Sequence, residues 1–283
     1  MPIKYITSVL MSFFFRGQQF RKAFGQVAEL SAFFPAVPIV ALSATVTLDQ
    51  EMDLCKMLNF KKYVCISKNP DRPNIKLICK KKSCDALNNH EDIIMPLLED
   101  LKHNTCTFPL TLMYMPMQYM AEAAAAAKDL FPDTINIYNS PWATIFSSQD
   151  ELIRKEIFSQ LRMENPRIRL VFCTSVLGLG FDALAVSRVI HLKPPRRMND
   201  YMQEIGRAGR NGTSAEAVLY YTASDIACNV VGMENAIRTY CNSKGCYRQV
   251  LLNTYGFEPT PGIPKCRCCD LCEAKCNCEL CKK

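Results

Sequence analysis

Arg207 and Arg210 stand three residues apart in the string Gln203-Glu204-Ile205-Gly206-Arg207-Ala208-Gly209-Arg210-Asn211-Gly212. At helical spacing they share one side of a turn, and Gly206 and Gly209 leave room for a ligand or a facing backbone. Guanidinium forks grip phosphate oxygens two at a time and stay charged at any relevant pH. Such a pair can stabilise charge on a γ-phosphoryl group during transfer. About 20 residues upstream, Thr174-Ser175-Val176-Leu177-Gly178-Leu179-Gly180-Phe181-Asp182 directly follows a strand-like run. Hydroxyls and glycine-backed N–H groups at the C-terminal end of a strand sit where α/β sheets bind ligands. Ser43-Ala44-Thr45 follows another such run.

Metal-ligand spacing is the second signal. Cys266, Cys269 and Cys272 read C-x2-C-x2-C, and Cys246 lies 20 residues upstream of Cys266, at the start of the helical pattern Tyr247–Tyr255. Four thiolates can close a tetrahedral site around Zn²⁺. Nine of the 16 cysteines fall between Cys241 and Cys281, while the other seven are scattered singly. Small secreted domains spread cysteines as a disulfide framework, whereas a local cluster with two-residue gaps reads as a metal site in a reducing compartment. Cys268, Cys276, Cys278 and Cys281 are surplus. A second metal site, exchangeable ligands and exposed thiols all stay open for them.

These residues need a scaffold. Short apolar runs at Pro38–Ser43, Tyr63–Ser67, Ile75–Cys79, Leu110–Tyr114, Thr134–Tyr138, Arg169–Cys173, Ser187–His191 and Ala215–Tyr221 read as strands. Helical patterns cover Leu48–Leu58, Glu91–Lys102, Gln118–Leu130, Gln149–Leu161 (with Ser147 or Ser148 as N-cap) and Asn199–Ile205. The alternation predicts βαβ units and a parallel sheet covered on both faces. Asn69-Pro70-Asp71-Arg72-Pro73-Asn74 is a turn-and-linker signal.

Lys+Arg is 34 against Asp+Glu 27, a formal charge of +7, which suits a nucleic-acid partner but does not by itself identify one. Lys80-Lys81-Lys82, Arg162 with Arg167 and Arg169, and Lys193 with Arg196 and Arg197 are basic clusters. The last lies between the two phosphate-type motifs and is expected to contact phosphates in a salt-dependent way. The apolar run of residues 5–15 is too short for a membrane-spanning helix, and no small-residue cleavage site follows it. The expected setting is intracellular and soluble, with no membrane.

Together these strings resemble the RecQ family of superfamily 2 DNA helicases. ALSATVT (41–47) resembles motif III, NPDRPNIK (69–76) the junction between the motor domains, and LVFCTSVLGLGFD (170–182) motif V. VIHLKPPRRMNDYMQEIGRAGRNG (189–212) is similar to motif VI, and CYRQVLLNTYG (246–256) to the opening of the family's zinc subdomain. The resemblance covers about residues 16–275. It implies an α/β fold of RecA-like helicase motor domains: the last part of a truncated first one at 1–73, a complete second one at 74–223, and a small helical zinc-binding subdomain at 224–283.

By resemblance, Arg207 and Arg210 are the motif VI arginines, one acting as the arginine finger on ATP, and Gln203 is the motif's leading Gln. Ser43 and Thr45 link hydrolysis to unwinding. Thr174, Ser175 and Asp182 touch the DNA backbone, and Arg21, Lys193, Arg196 and Arg197 join them in binding DNA. Cys246, Cys266, Cys269 and Cys272 hold Zn²⁺. The family's activity is ATP- and Mg²⁺-dependent 3′–5′ DNA unwinding in repair and recombination. Its location is the nucleus in a eukaryote, or the cytoplasm and nucleoid in a bacterium.

The chain departs from the family in one respect that decides activity. It contains no GxxxxGKS or GxxxxGKT string and no DExH box. Arg16-Gly17-Gln18-Gln19-Phe20-Arg21 resembles what directly follows that box, so the chain is expected to begin where motif II ends. No ATPase activity is expected from it alone. The rival expectation is a non-enzymatic, zinc-containing DNA-binding module; an RNA helicase is the third reading.

Overall fold

The computed structural model describes residues 6–8, 39–43, 45–58, 60, 62–82, 90–133, 138–175 and 185–279. The expected strand at Thr134–Tyr138 lies almost wholly outside them, as do Arg21 and Asp182. The chain divides into two compact units, Met1–Pro70 with Leu252–Glu258, and Asp71–Leu251 with Pro259–Lys283.

In the first unit, β1 (Ile6–Ser8) and β2 (Ile39–Ala41) pair in parallel. Helix α1 (Leu48–Met57) begins with a capping box. The Thr47 hydroxyl accepts from the Gln50 amide, and the Gln50 side chain accepts from the Thr47 amide. Asp49 and Glu51 in its first turn and Lys56 in its last complement the helix dipole. Leu54 and Leu58 bury against Ala41, Val46 and Phe60. Residues 63–67 are not a strand: Val64 is 87% and Ile66 93% exposed. Strand propensity is a fit to a pleated, half-buried surface, and no neighbouring strand among the described residues supplies one.

The second unit is built on a six-stranded, all-parallel sheet. Its members are β3 (Ile75–Lys81), β4 (Thr111–Tyr114), β5 (Trp142–Ile145), β6 (Leu170–Cys173), β7 (Arg188–His191) and β8 (Ala215–Tyr221), in the order β3-β8-β7-β4-β6-β5. Parallel strands need crossovers, and α2 (Glu91–His103), α3 (Met117–Leu130) and α4 (Glu151–Leu161) supply three of them. The cap of α4 is Asp150 rather than Ser147 or Ser148, accepting from the Leu152 and Ile153 amides. Sequence reasoning did not find β5. It is four residues long, follows Pro141, and is nonetheless buried.

The pleat sorts the sheet's two faces. Ile94, Leu98 and Leu101 of α2 and Met120, Ala123 and Ala127 of α3 pack with Met113, Phe172 and Ile190 from the central strands. The next residues, Tyr114, Cys173 and His191, therefore point to the opposite face. They meet α5 (Met198–Ile205) there, with Tyr201 and Glu204 buried. The chain continues through α6 (Asn235–Cys241), α7 (Tyr247–Asn253), and the single turns α8 (Lys265–Cys268) and α9 (Asp270–Glu273). No helix among the described residues is long and apolar enough to cross a membrane.

Candidate functional site

Tyr114, Cys173 and His191 align in register at the C-terminal ends of the three central strands. That edge is where open α/β sheets take ligands. The Thr174 amide donates to the Ile145 carbonyl (3.1 Å), while its buried hydroxyl has no hydrogen-bond partner among the described residues. Ser175 beside it is exposed. His191 and Glu204 form a buried pair at 2.9 Å. Tyr114 stacks on the imidazole (5.1 Å, 11°). Burial raises the Tyr114 phenol well above its usual range, Cys173 and Glu204 push the same way, and Arg207 pulls it down. Arg207 is thus set inside this face, 6% exposed, while Arg210 and Gln203 lie nearer solvent.

The loop carrying both arginines is fastened by residues about 135 positions away in sequence. Arg72 donates to the carbonyls of Gly206 (3.3 Å), Ala208 (3.2 Å) and Gly209 (2.7 Å). Asn74 donates to Gly209 and Thr213, both at 2.8 Å. The linker-like Asp71–Asn74 segment therefore fixes the phosphate-type loop. Gly209 is required at the closest approach. Its φ is +58°, and a Cβ would stand 2.4 Å from Asn74 Nδ2 and 2.7 Å from the Thr213 carbonyl. Gly209→Ala is expected to destabilise the unit by about 1–3 kcal/mol and to loosen this clamp. Gly212→Ala, with φ +83° and nothing near its Cβ, is the control for backbone strain alone, and thermal melts of the two separate strain from clash.

Of the basic cluster, Lys193 pairs with Asp225 at 3.2 Å and lies 5.1 Å over the Tyr119 ring. Burial opposes its charge, yet Tyr119 and Asp225 hold its pKa above the usual value. Arg196 is exposed and Arg197 half-buried at the start of α5. Lys193 also acts on a neighbouring pair, Lys82 and His90. Lys82 Nζ is 3.3 Å from His90 Nδ1, and burial, then Lys82 and Lys193, lower His90 to about 4, with Asp225 opposing. Burial and Lys193 also lower Lys82, to about 8. A folded-state value below the unfolded one means that the unfolded chain binds more protons between pH 6.5 and 4. Stability that His90 contributes above pH 6.5 is therefore lost as pH falls through 4, at most about 3 kcal/mol. Melting temperature against pH should flatten across that window in His90→Gln.

Ser43 and Thr45, in the first unit, form a local turn. The Ser43 hydroxyl donates to the Thr45 carbonyl (3.0 Å) and accepts from its amide (3.3 Å).

The sulfur sites rest against the open edge of the sheet. Leu77 of β3 bridges to Cys269, the Cys79 amide donates to Asp270 (3.2 Å), and Lys76 pairs with Glu273 (2.7 Å). The cysteine-rich turns so cover an edge that would otherwise present unpaired backbone. Cys246, Cys268, Cys269 and Cys272 bring their Sγ atoms within 4.8 Å of one another. Three of the expected ligands are together, but Cys268 takes the place expected for Cys266. Both sit on the single turn α8, and two residues apart on a helix point to opposite sides. Cys268 is buried beside Cys246 (3.5 Å), and Cys266 faces Cys278 (3.8 Å) instead.

The donor set suits a soft, tetrahedral dication. Hydrogen bonds from Cys268 and Cys269 hold the Cys246 thiol far down, while Cys268 is raised by Cys246 and Cys269, and Cys272 is pushed up to about 12 by burial and then by Cys269 and Cys246. Without a cation the thiols share protons; a dication would let all four ionise.

Arg248 joins this region to the clamp. It is 2% exposed and donates to Asp71 (2.5 Å), to the Arg72 carbonyl (3.0 Å), to the Ile75 carbonyl and to the Cys268 carbonyl (3.3 Å). Burial would raise Asp71, but the Thr260 hydrogen bonds and Arg248 hold it below the usual carboxylate range. Sequence reasoning missed this role, although Arg248 stands inside the CYRQ string it singled out.

Residues 97–212 match the family model of the helicase conserved C-terminal domain. The ATP-dependent DNA helicase RecQ of Haemophilus influenzae is 26% identical over 286 residues, covering 90% of this chain and 40% of the relative. The bifunctional 3′-5′ exonuclease/ATP-dependent helicase WRN of Mus musculus is 26% identical, covering 92% and 19%. The chain spans less than half the length of each. Among solved structures, S. cerevisiae Dbp5 bound to RNA and ADP BeF3 shares the fold, with TM-score 0.51, 18% identity, and coverage of 80% and 55%. Residues 97–212 therefore match a helicase conserved C-terminal domain, and over about 90% of its length the chain is similar to RecQ-type ATP-dependent DNA helicases.

Proposed function

We propose that the chain is a module of a RecQ-like 3′–5′ DNA helicase acting in unwinding, repair and recombination. Residues 74–223 serve as the second RecA-like motor domain, 1–73 as the last part of the first, and 224–283 as a zinc subdomain. The observation that carries this is the clamp of Arg72 and Asn74 on the Gly206–Gly209 loop. A junction segment that fixes the phosphate-type arginines is what a motor needs to relay domain movement to a bound nucleotide. Arg207 and Arg210 act on the γ-phosphate of Mg²⁺-ATP, with Gln203 beside them. Ser43 and Thr45 couple hydrolysis to DNA. Thr174, Ser175, Asp182, Arg21, Lys193, Arg196 and Arg197 serve the DNA backbone. Cys246, Cys268, Cys269 and Cys272 hold a structural Zn²⁺. In a eukaryotic cell the protein works in the nucleus.

The 283 residues hold no Walker A string, which favours a second reading for the chain alone: a zinc-containing DNA-binding module without hydrolysis. Phosphate release by the purified chain with single-stranded DNA and Mg²⁺ tests both. No turnover above buffer is expected, and robust turnover overturns the non-enzymatic reading.

A further inference from the structure

Cys266, Cys276 and Cys278 form a second sulfur group, separate from the first. Their Sγ atoms all lie within 4.8 Å of one another, and none is joined in a disulfide. The Cys266–Cys278 separation of 3.8 Å is almost twice the roughly 2.05 Å of a disulfide. It equals the separation of two thiolates on one tetrahedral zinc, where legs of about 2.3 Å span about 3.8 Å. The fold builds this group deliberately on the side of α8 away from Cys268. The chain leaves α9, the Cys276 amide donates to the Glu273 carbonyl (2.8 Å), and the turn returns Cys276 and Cys278 to Cys266.

All three sulfurs are half-exposed, open to a cation from solvent. Lys265, Arg267 and Lys275 are close in sequence and temper the charge that three thiolates would gather.

We propose that Cys266, Cys276 and Cys278 are a second thiolate site for a soft divalent cation, zinc foremost, in which each thiol releases its proton to solvent as the metal binds. The site rests on sulfur geometry alone and stands apart from the helicase reading. The test is the zinc content of the full chain, purified under reducing conditions, beside the Cys276→Ser/Cys278→Ser double variant. A loss of one equivalent per chain is expected, from two to one. Equal zinc content in the two proteins overturns the proposal. A drop from one to zero would support this site and sink the first one instead. Cobalt(II) titration of the unaltered, metal-free chain keeps the question decidable if the variant fails to fold. Thiolate-to-cobalt absorbance saturating at two equivalents supports the second site, and saturation at one equivalent that Cys269→Ser abolishes overturns it.

Discussion

Removing the zinc proposed for Cys246, Cys268, Cys269 and Cys272 is expected to strip the edge strand of its cover and lower the melting temperature by more than 10 °C, since structural zinc contributes on the order of 10 kcal/mol to small sites. The reason is positional. Cys269 is fully buried and bridges to Leu77, and its neighbours Asp270 and Glu273 hold Cys79 and Lys76. With the ion gone, four thiols crowd a space in which only part of them can ionise, and the turns lose their reason to close. Prolonged chelation followed by a thermal melt checks this in the unaltered chain, and Cys269→Ser should behave as the chelated protein does. Cys266→Ser should leave the four-sulfur site filled, because Cys266 faces the other way.

Arg248→Ala should cost about 3–5 kcal/mol, roughly 10 °C in melting temperature. The buried Asp71 carboxylate, 3% exposed, would keep its charge and lose its counter-ion, and the carbonyls of Arg72, Ile75 and Cys268 would lose a donor. The unpaired charge dominates that cost. Adding Asp71→Asn should therefore recover part of the loss, and chemical denaturation of the three variants measures the coupling. A double variant no more stable than Arg248→Ala would place the cost in the carbonyl contacts instead.

Much of this was legible before the structure, and the misses share a cause. Runs such as Ile75–Cys79 and Ala215–Tyr221 announce their strands because β-branched and apolar residues fill both faces of a buried parallel sheet. Trp142–Ile145 carries the same burial in four residues after a proline, too few for a pattern to stand out. Tyr63–Ser67 has the pattern without a pairing strand among the described residues. Sequence spacing found the sulfur cluster but named Cys266 where the structure groups Cys268, because which thiols meet depends on the side of one helical turn that each occupies. The Arg72 clamp, the Arg248 hub and the Lys193–Asp225 pair all join residues far apart in the chain. Local residue types say that a charge is present; only the fold says what neutralises it.

The proposed function stands most directly on what the chain binds. Fluorescence anisotropy of labelled single-stranded DNA and of RNA of the same sequence, titrated with the zinc-loaded chain without nucleotide, measures it. The account predicts tighter binding to DNA, weakening steeply as salt rises, as contacts to phosphates require. Binding to RNA as tight as to DNA, or binding to neither, would contradict it.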